Sequence, residues 1–428
     1  MDKNKNLTGT GHLGSVKTES LTDIPDGKSA KSGAPIQIIE TLDGADGNNA
    51  NGVNSPATGG VPPEVKELNK AQPTEKINGK PVLYRENAKT VLSMKSDFKH
   101  KLLCTGPVLN MGDACVYGCT YCYVPSAMRK LVFPVLDGRA HDEVVIRRPK
   151  ALELLQNQLD QIKEKKVPHV VYSSSLVDVA ANIELMKETA AACVMIFEQT
   201  NWEMRLLTKS NLLPRLIREI PEKFHHRLIL GVSTGTFDDE IGKVIEVGTA
   251  LVSKRIESLH WLQDNGFRTF AMVCPSLPQN DYAAFARQAA ELLRYRRCEH
   301  VWAEVINVRG PSFVNTMAAL DAAGLVDERN KLALVCGDAE GAQDRWEAYA
   351  RATFEAHANV VGPEKLRFLQ YVDRKENLDH WGEQRARGAV LLGRYGVPKK
   401  KKKVVPAVMG TVKKGAEKVK SSEKEQKN

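Results

Sequence analysis

The chain has 428 residues, 42% of them hydrophobic and 26% charged, an ordinary globular composition sufficient for one large domain or two smaller ones. No run approaches the roughly eighteen apolar residues of a membrane span, and the opening MDKNKNLTGTGHLGS lacks the apolar core of a secretory signal. Eight cysteines are too sparse for a disulfide scaffold, so the chain reads as cytoplasmic, with thiols left free for metal binding or catalysis.

The formal charge of +9 is unevenly placed. Residues 399–428 carry eleven lysines against three glutamates, which accounts for +8 and leaves the rest nearly neutral. The basic character therefore belongs to a tail and says little about what the folded part binds. The run PKKKKKV reads as a solvated lysine tail that permits loose, salt-sensitive contact with nucleic acid.

In chain order, the first aromatic residue is Tyr84, preceded by runs such as DGADGNNANGVNSPATGG that offer almost nothing to bury. Residues 1–80 are therefore expected to be disordered or weakly ordered, because burial there cannot offset the entropy of ordering. Leu102–Asn110 reads as a first strand and Pro149–Lys165 as a helix, with Leu152, Leu155, Leu159 and Ile162 on one stripe. Further strands are expected at His169–Ser175, Met204–Ser210, Arg227–Thr234, Phe267–Pro278 and His300–Val308. Between them helices are expected at Ile183–Gln199, Leu212–Glu219, Ala250–Asn265 (stopped by Gly266) and Tyr282–Tyr295.

Six strand–helix repeats with near-continuous apolar strands imply an α/β fold, a parallel sheet covered by helices. Their spacing suits either a doubly wound sheet or a (β/α) barrel. This core is expected over residues 81–310. Residues 311–396 read as a mostly helical C-terminal extension with one further β-like run at Lys365–Val372, and residues 397–428 as the disordered Lys-rich tail.

The segment that carries chemistry is ACVYGCTYCYVPSAMRK, where Cys115, Cys119 and Cys122 stand at C-x3-C-x2-C just after the first expected strand. Gly118 and the polar residues around it suggest an exposed loop rather than a place for structural, buried cysteines. Closely spaced thiolates on a loop converge on one metal centre, and three protein ligands leave an open position, which marks a catalytic rather than a structural site.

This cysteine spacing after the first strand of a partial (β/α)6 barrel, TIM-like in layout, resembles the radical S-adenosylmethionine (SAM) superfamily, over about Lys101–Gly310. Within it the chain is most similar to the spore photoproduct lyase group and its uncharacterised relatives. The likeness lies in Tyr121 and Tyr123 flanking the third cysteine, in Thr208–Lys209–Ser210, in Ser233–Thr234, and in Glu246 followed by Arg255 on the helix ending NGF. The resemblance implies a [4Fe–4S] cluster on Cys115, Cys119 and Cys122 and SAM on its open iron, cleaved to a 5′-deoxyadenosyl radical that takes hydrogen from a substrate. It implies SAM contacts from Tyr121, Ser173, Ser175, Lys209 and Ser233, and a reducing electron donor such as flavodoxin or ferredoxin. Tyr121, Tyr123 and Cys274 are the candidate catalytic residues, Cys274 because it ends the fifth strand facing the expected substrate.

One departure stands out. The lyase group carries a hydrogen-donating cysteine at the end of strand two, where this chain has Ser173 in YSSSLVD. A hydroxyl yields its hydrogen atom far less readily than a thiol, so lesion repair itself is not expected. The substrate, small or macromolecular, is left open. Two rival readings are a zinc-stabilised binding protein, with Cys104 or His100 as fourth ligand, and a radical SAM enzyme acting on nucleic acid.

Overall fold

The computed structural model describes residues 75–136, 138–308, 312–336 and 340–397. All of these fall within Lys70–Asn428, the second of two units into which the chain divides. The expected disorder of residues 1–74 and of the Lys-rich tail from Pro398 lies outside the described residues.

Eight strands run parallel in one sheet, side by side in chain order: β1 Val108–Leu109, β2 Val170–Ser173, β3 Glu203–Thr208, β4 Leu228–Thr234, β5 Arg268–Ser276, β6 Cys298–Val305, β7 Leu366–Tyr371 and β8 Ala389–Leu392. Leu92–Ser93 adds a short antiparallel strand beside β1. The connecting helices include α1 Val124–Leu136, α2 Ala151–Gln161, α3 Ile183–Gln199, α4 Leu213–Arg218, α5 Asp239–Ile245, α6 Val252–Asp264 and α7 Tyr282–Leu292. After β6 come α8 Ser312–Ala322, α9 Val326–Cys336 and α10 Ala342–Ala358, with α11 Leu378–Glu383 between the last two strands.

The strands are apolar on both faces because each face has something to bury. One face, with Leu230 and Val232 of β4 and Ala271 and Val273 of β5, packs under the helices. The other turns inward, where Val108, Tyr172, Leu207, Ile229, Phe270, Met272, Trp302, Leu369 and Leu392, drawn from all eight strands, form one continuous cluster. A sheet whose first and last strands share one interior is curled, and the remaining opening is plugged by the segment just before β1. There the Trp302 Nε1–H donates to the Lys101 carbonyl at 2.9 Å, and Arg205 donates to the carbonyls of Leu102 and Leu103 at 3.2 and 2.8 Å.

The partial barrel and its helices follow the expected pattern, with two differences in detail. The first strand is two residues, not nine: Asp97–Lys101 is a 3-10 helix closed by Leu102 at φ 58°, and Gly106 at φ 146° followed by an N–H-less proline delays regular pairing until Val108. Nor does the sheet stop at the sixth strand. The run within Lys365–Val372 is β7, and Ala389–Leu392, too short to announce itself, is β8.

Candidate active site

The cysteine segment hangs between two small sheets. Gly112–Ala114 pairs antiparallel with Val145–Arg147, which pairs parallel with Lys80–Tyr84. Within it Asp113 is buried between Arg85, at 2.7 Å, and Arg148, at 2.5 Å. Burial alone would raise its carboxyl pKa, but the two guanidiniums outweigh burial and hold it below the usual value. Beyond Cys115, Gly118–Cys119 pairs antiparallel with Glu246–Val247, setting Cys119 opposite Glu246. The Thr120 N–H donates to the Ile245 carbonyl at 2.9 Å, the Cys122 N–H to that of Cys119 at 3.0 Å, and α1 begins at Val124. The expected exposed loop is thus a pinned, half-buried one, with Val116 and Tyr117 buried and the three cysteines partly exposed.

Burial pushes the Cys115 thiol up to about 12, with the neighbouring Cys122 charge adding to it. The same cause raises Cys119 well above its ordinary value and raises Cys122. Opposing influences are already built in: backbone N–H groups of Tyr117 and Asp178 face the Cys115 sulfur, that of Val124 faces the Cys122 sulfur, and the Lys209 ammonium favours the thiolate at Cys119 and Cys122. Such donors suit thiolates whose proton is replaced by a metal. Among the described residues no three of His, Cys, Asp and Glu converge on a point able to hold a single ion. A four-ligand zinc site requires that convergence, and Cys104 is instead packed among the apolar side chains of the barrel interior. An iron–sulfur cube does not require it, because each cysteine there ligates a different iron. Three free thiols on one pinned turn, two of them faced by backbone N–H groups, fit a [4Fe–4S] cluster.

Opposite the cysteine segment stands a buried ionic group. The Glu246 carboxylate accepts the Tyr121 hydroxyl, pairs with Arg255 Nη1 at 2.5 Å and lies 4.0 Å from Lys209 Nζ. Lys209, on the turn after β3, donates to Ser233 Oγ at 2.9 Å and lies 5.5 Å from the centre of the Tyr121 ring. Arg255 also donates to the carbonyls of Ser233 (2.9 Å) and Ala250 (2.8 Å) and to Thr249 Oγ1 (2.7 Å). Tyr121, Lys209 and Ser233 are thus brought together as the sequence suggested, and Glu246 and Arg255 hold them in place.

Asn110 and Ser175 exchange side-chain hydrogen bonds of 2.9 and 3.0 Å, and the Ser175 carbonyl accepts the Tyr123 hydroxyl. Ser173 instead commits its hydroxyl to the Leu109 carbonyl at 3.0 Å, inside the sheet. Between the two serines Ser174 holds φ 103°, a strained conformation at the carboxyl end of β2. Asp178, which sequence reasoning passed over, accepts the Thr208 hydroxyl at 2.6 Å and the Lys209 N–H at 2.7 Å, and so aims the turn that carries Lys209.

A second group lies where β5, β6 and β7 end. The Cys274 thiol donates to Glu304 Oε2 at 3.3 Å, and Lys101 Nζ stands 3.8 Å from the same oxygen. Lys101 also lies 5.6 Å from each of the Phe98 and Tyr371 ring centres. Burial works against the Lys101 charge, but Glu304 and Tyr371 overcome it and leave the ammonium pKa raised. Burial, with Glu304 adding, keeps the Cys274 thiol protonated well past its ordinary range. Glu304 was legible in principle, because it follows Trp302 by two residues and so shares its inward face.

Comparison with known proteins bears on this geometry. Residues 109–289 match the family model of the Radical SAM superfamily. An uncharacterised protein of Methanocaldococcus jannaschii is 28% identical over 172 residues, 40% of this chain and 60% of that protein. An uncharacterised protein of Acidianus two-tailed virus is 22% identical over 218 residues, 49% of this chain and 70% of the viral one. A variant of spore photoproduct lyase with dinucleoside spore photoproduct superposes with a TM-score of 0.41 at 10% identity, covering 60% of this chain and 79% of that structure.

Proposed function

We propose, from the match of residues 109–289 to the Radical SAM family model, that this chain is an enzyme carrying a [4Fe–4S] cluster on Cys115, Cys119 and Cys122 and binding SAM beside it. When bound, the cluster supplies the electron that cleaves SAM to methionine and a 5′-deoxyadenosyl radical able to abstract hydrogen from substrate. The observation that carries the reading is the register of Cys119 against Glu246, which gathers Tyr121, Lys209, Ser233 and Arg255 around the cysteine segment.

In this reading the Lys209 ammonium and the Ser233 hydroxyl receive the SAM carboxylate, and the Tyr121 ring lies against the adenine. Ser175, fixed by Asn110, offers a hydroxyl from the opposite strand end, and Tyr123 closes that side. Ser173 contributes through the sheet, its hydroxyl holding β1 against β2 rather than reaching a ligand. Cys274 is the thiol that would face substrate at the end of β5, kept protonated by burial with the Glu304 charge adding to it. The one-electron donor is of the flavodoxin or ferredoxin class. No helix among the described residues is long and apolar enough to cross a membrane.

Lys209→Met tests the binding arrangement. Losing a charged hydrogen bond of about 1.5–3 kcal/mol should weaken SAM binding roughly ten- to hundredfold at unchanged iron content. Undiminished affinity would remove Lys209 from the site.

A further inference from the structure

We propose that Lys80, which lies outside the matched residues 109–289, is the cationic partner of the cluster and sets its reduction potential by its charge. The inference rests on the cluster assignment above. Lys80 opens the strand Lys80–Tyr84, two strands away from the Gly112–Ala114 segment that leads into Cys115. Its half-buried side chain reaches toward the cysteine turn, where a Cβ added to Gly118 would stand 4.0 Å from Nζ. The ammonium is anchored from the other side, donating to the Asp142 carbonyl at 2.5 Å in the 3-10 helix His141–Glu143. Cys115 and Cys119 are both near enough for their charge to act on it.

The neighbouring lysines make the contrast. Lys209 has Glu246 at 4.0 Å, and Lys101 has Glu304 at 3.8 Å. Lys80 feels Asp142 and Glu143, yet among the described residues it makes no ion pair with a carboxylate, and its one hydrogen bond goes to a neutral carbonyl. Holding an ammonium partly out of water with no carboxylate in direct contact is unfavourable. The thiolates of a loaded cluster supply that counter-charge. A cube held by three thiolates is anionic overall and becomes more so on taking up an electron, so a fixed cation beside it favours the reduced state and raises its potential.

The test uses the full chain, loaded with cluster under exclusion of oxygen, as wild type, Lys80→Met and Lys80→Arg, each titrated with reductant and followed by electron paramagnetic resonance. Lys80→Met should bind the same iron with a midpoint potential shifted to more negative values, and Lys80→Arg should stay close to wild type. Loss of iron in the methionine variant alone would support the same role, since arginine keeps the positive charge and the donor to the Asp142 carbonyl that methionine lacks. An unshifted midpoint in Lys80→Met would overturn the proposal, as would equal defects in both variants, which would point to shape. A wild-type chain that takes up no cluster would sink the parent reading instead, and this one with it.

Discussion

Replacing Glu246 with glutamine changes one charge and almost no volume, so its effect isolates the ionic group behind the cysteine segment. Glu246 and Arg255 are both buried, and their 2.5 Å pair has no access to bulk water. Removing one partner of such a pair costs about 3–5 kcal/mol, mostly because the other charge is stranded. Arg255 keeps neutral acceptors in Ser233, Ala250 and Thr249, which places the expected loss at the lower end, about 3 kcal/mol. For a chain of this size, at roughly 2 °C per kcal/mol, the Tm of the metal-free protein should fall by about 6 °C. A double variant, Glu246→Gln with Arg255→Leu, strands no charge and should be less destabilised than the sum of its parts, by about 1–3 kcal/mol. Circular dichroism melts of the four proteins measure the cycle. A Glu246→Gln protein that melts with wild type, or a strictly additive double variant, would refute the reasoning.

Three further outcomes follow from particular groups. Burial raises the Cys274 thiol and the Glu304 charge adds to that, so Glu304→Gln should lower its pKa and speed its alkylation at pH 8, read by peptide mass spectrometry; an unchanged rate would deny the contact. His357 is fully buried with both ring nitrogens unpartnered among the described residues, and burial lowers its pKa to about 4, so the unfolded chain binds the extra proton between that value and about 6.5. Stability contributed by its neutral form should therefore be intact above about pH 6.5 and fall by about 3 kcal/mol as pH drops toward 4; His357→Phe should flatten that slope, and an equal slope in both would contradict the assignment. Finally, the chain should not convert spore photoproduct cleanly to two thymines, because Ser173 offers a hydroxyl tied to the Leu109 carbonyl where that chemistry uses a thiol. Efficient conversion would overturn this.

The periodic parts of the fold were legible because the physics acting on them is local. Helix α3 runs over Ile183–Gln199 as expected, with the Asn182 side chain accepting from the Leu185 N–H at its start and extended Thr200 at its end. Strand β4 needed only an unbroken apolar run. The short Ala389–Leu392 strand escaped because four apolar residues carry no period, and its place depends on pairing with β7. At the site, the C-x3-C-x2-C spacing announced itself, as did the lysine and serines at strand ends. What the sequence could not show was distance in space. Glu246 meets Cys119 across 127 residues of chain through a two-residue strand pair. The approaches of Lys80 to Gly118 and of Lys101 to Glu304 are likewise tertiary, with no local pattern to mark them.

The most direct test of the account is the reductive cleavage of SAM by protein purified without oxygen, measured beside its iron content. The wild-type chain should be brown, carry about four irons and release methionine and 5′-deoxyadenosine after reduction, slowly even without substrate. Cys115→Ala, Cys119→Ala and Cys122→Ala should each abolish the cleavage, while Cys193→Ala, on α3, and Cys298→Ala, at the start of β6, should retain it. A colourless protein binding one zinc, or undiminished cleavage in Cys119→Ala, would contradict the account.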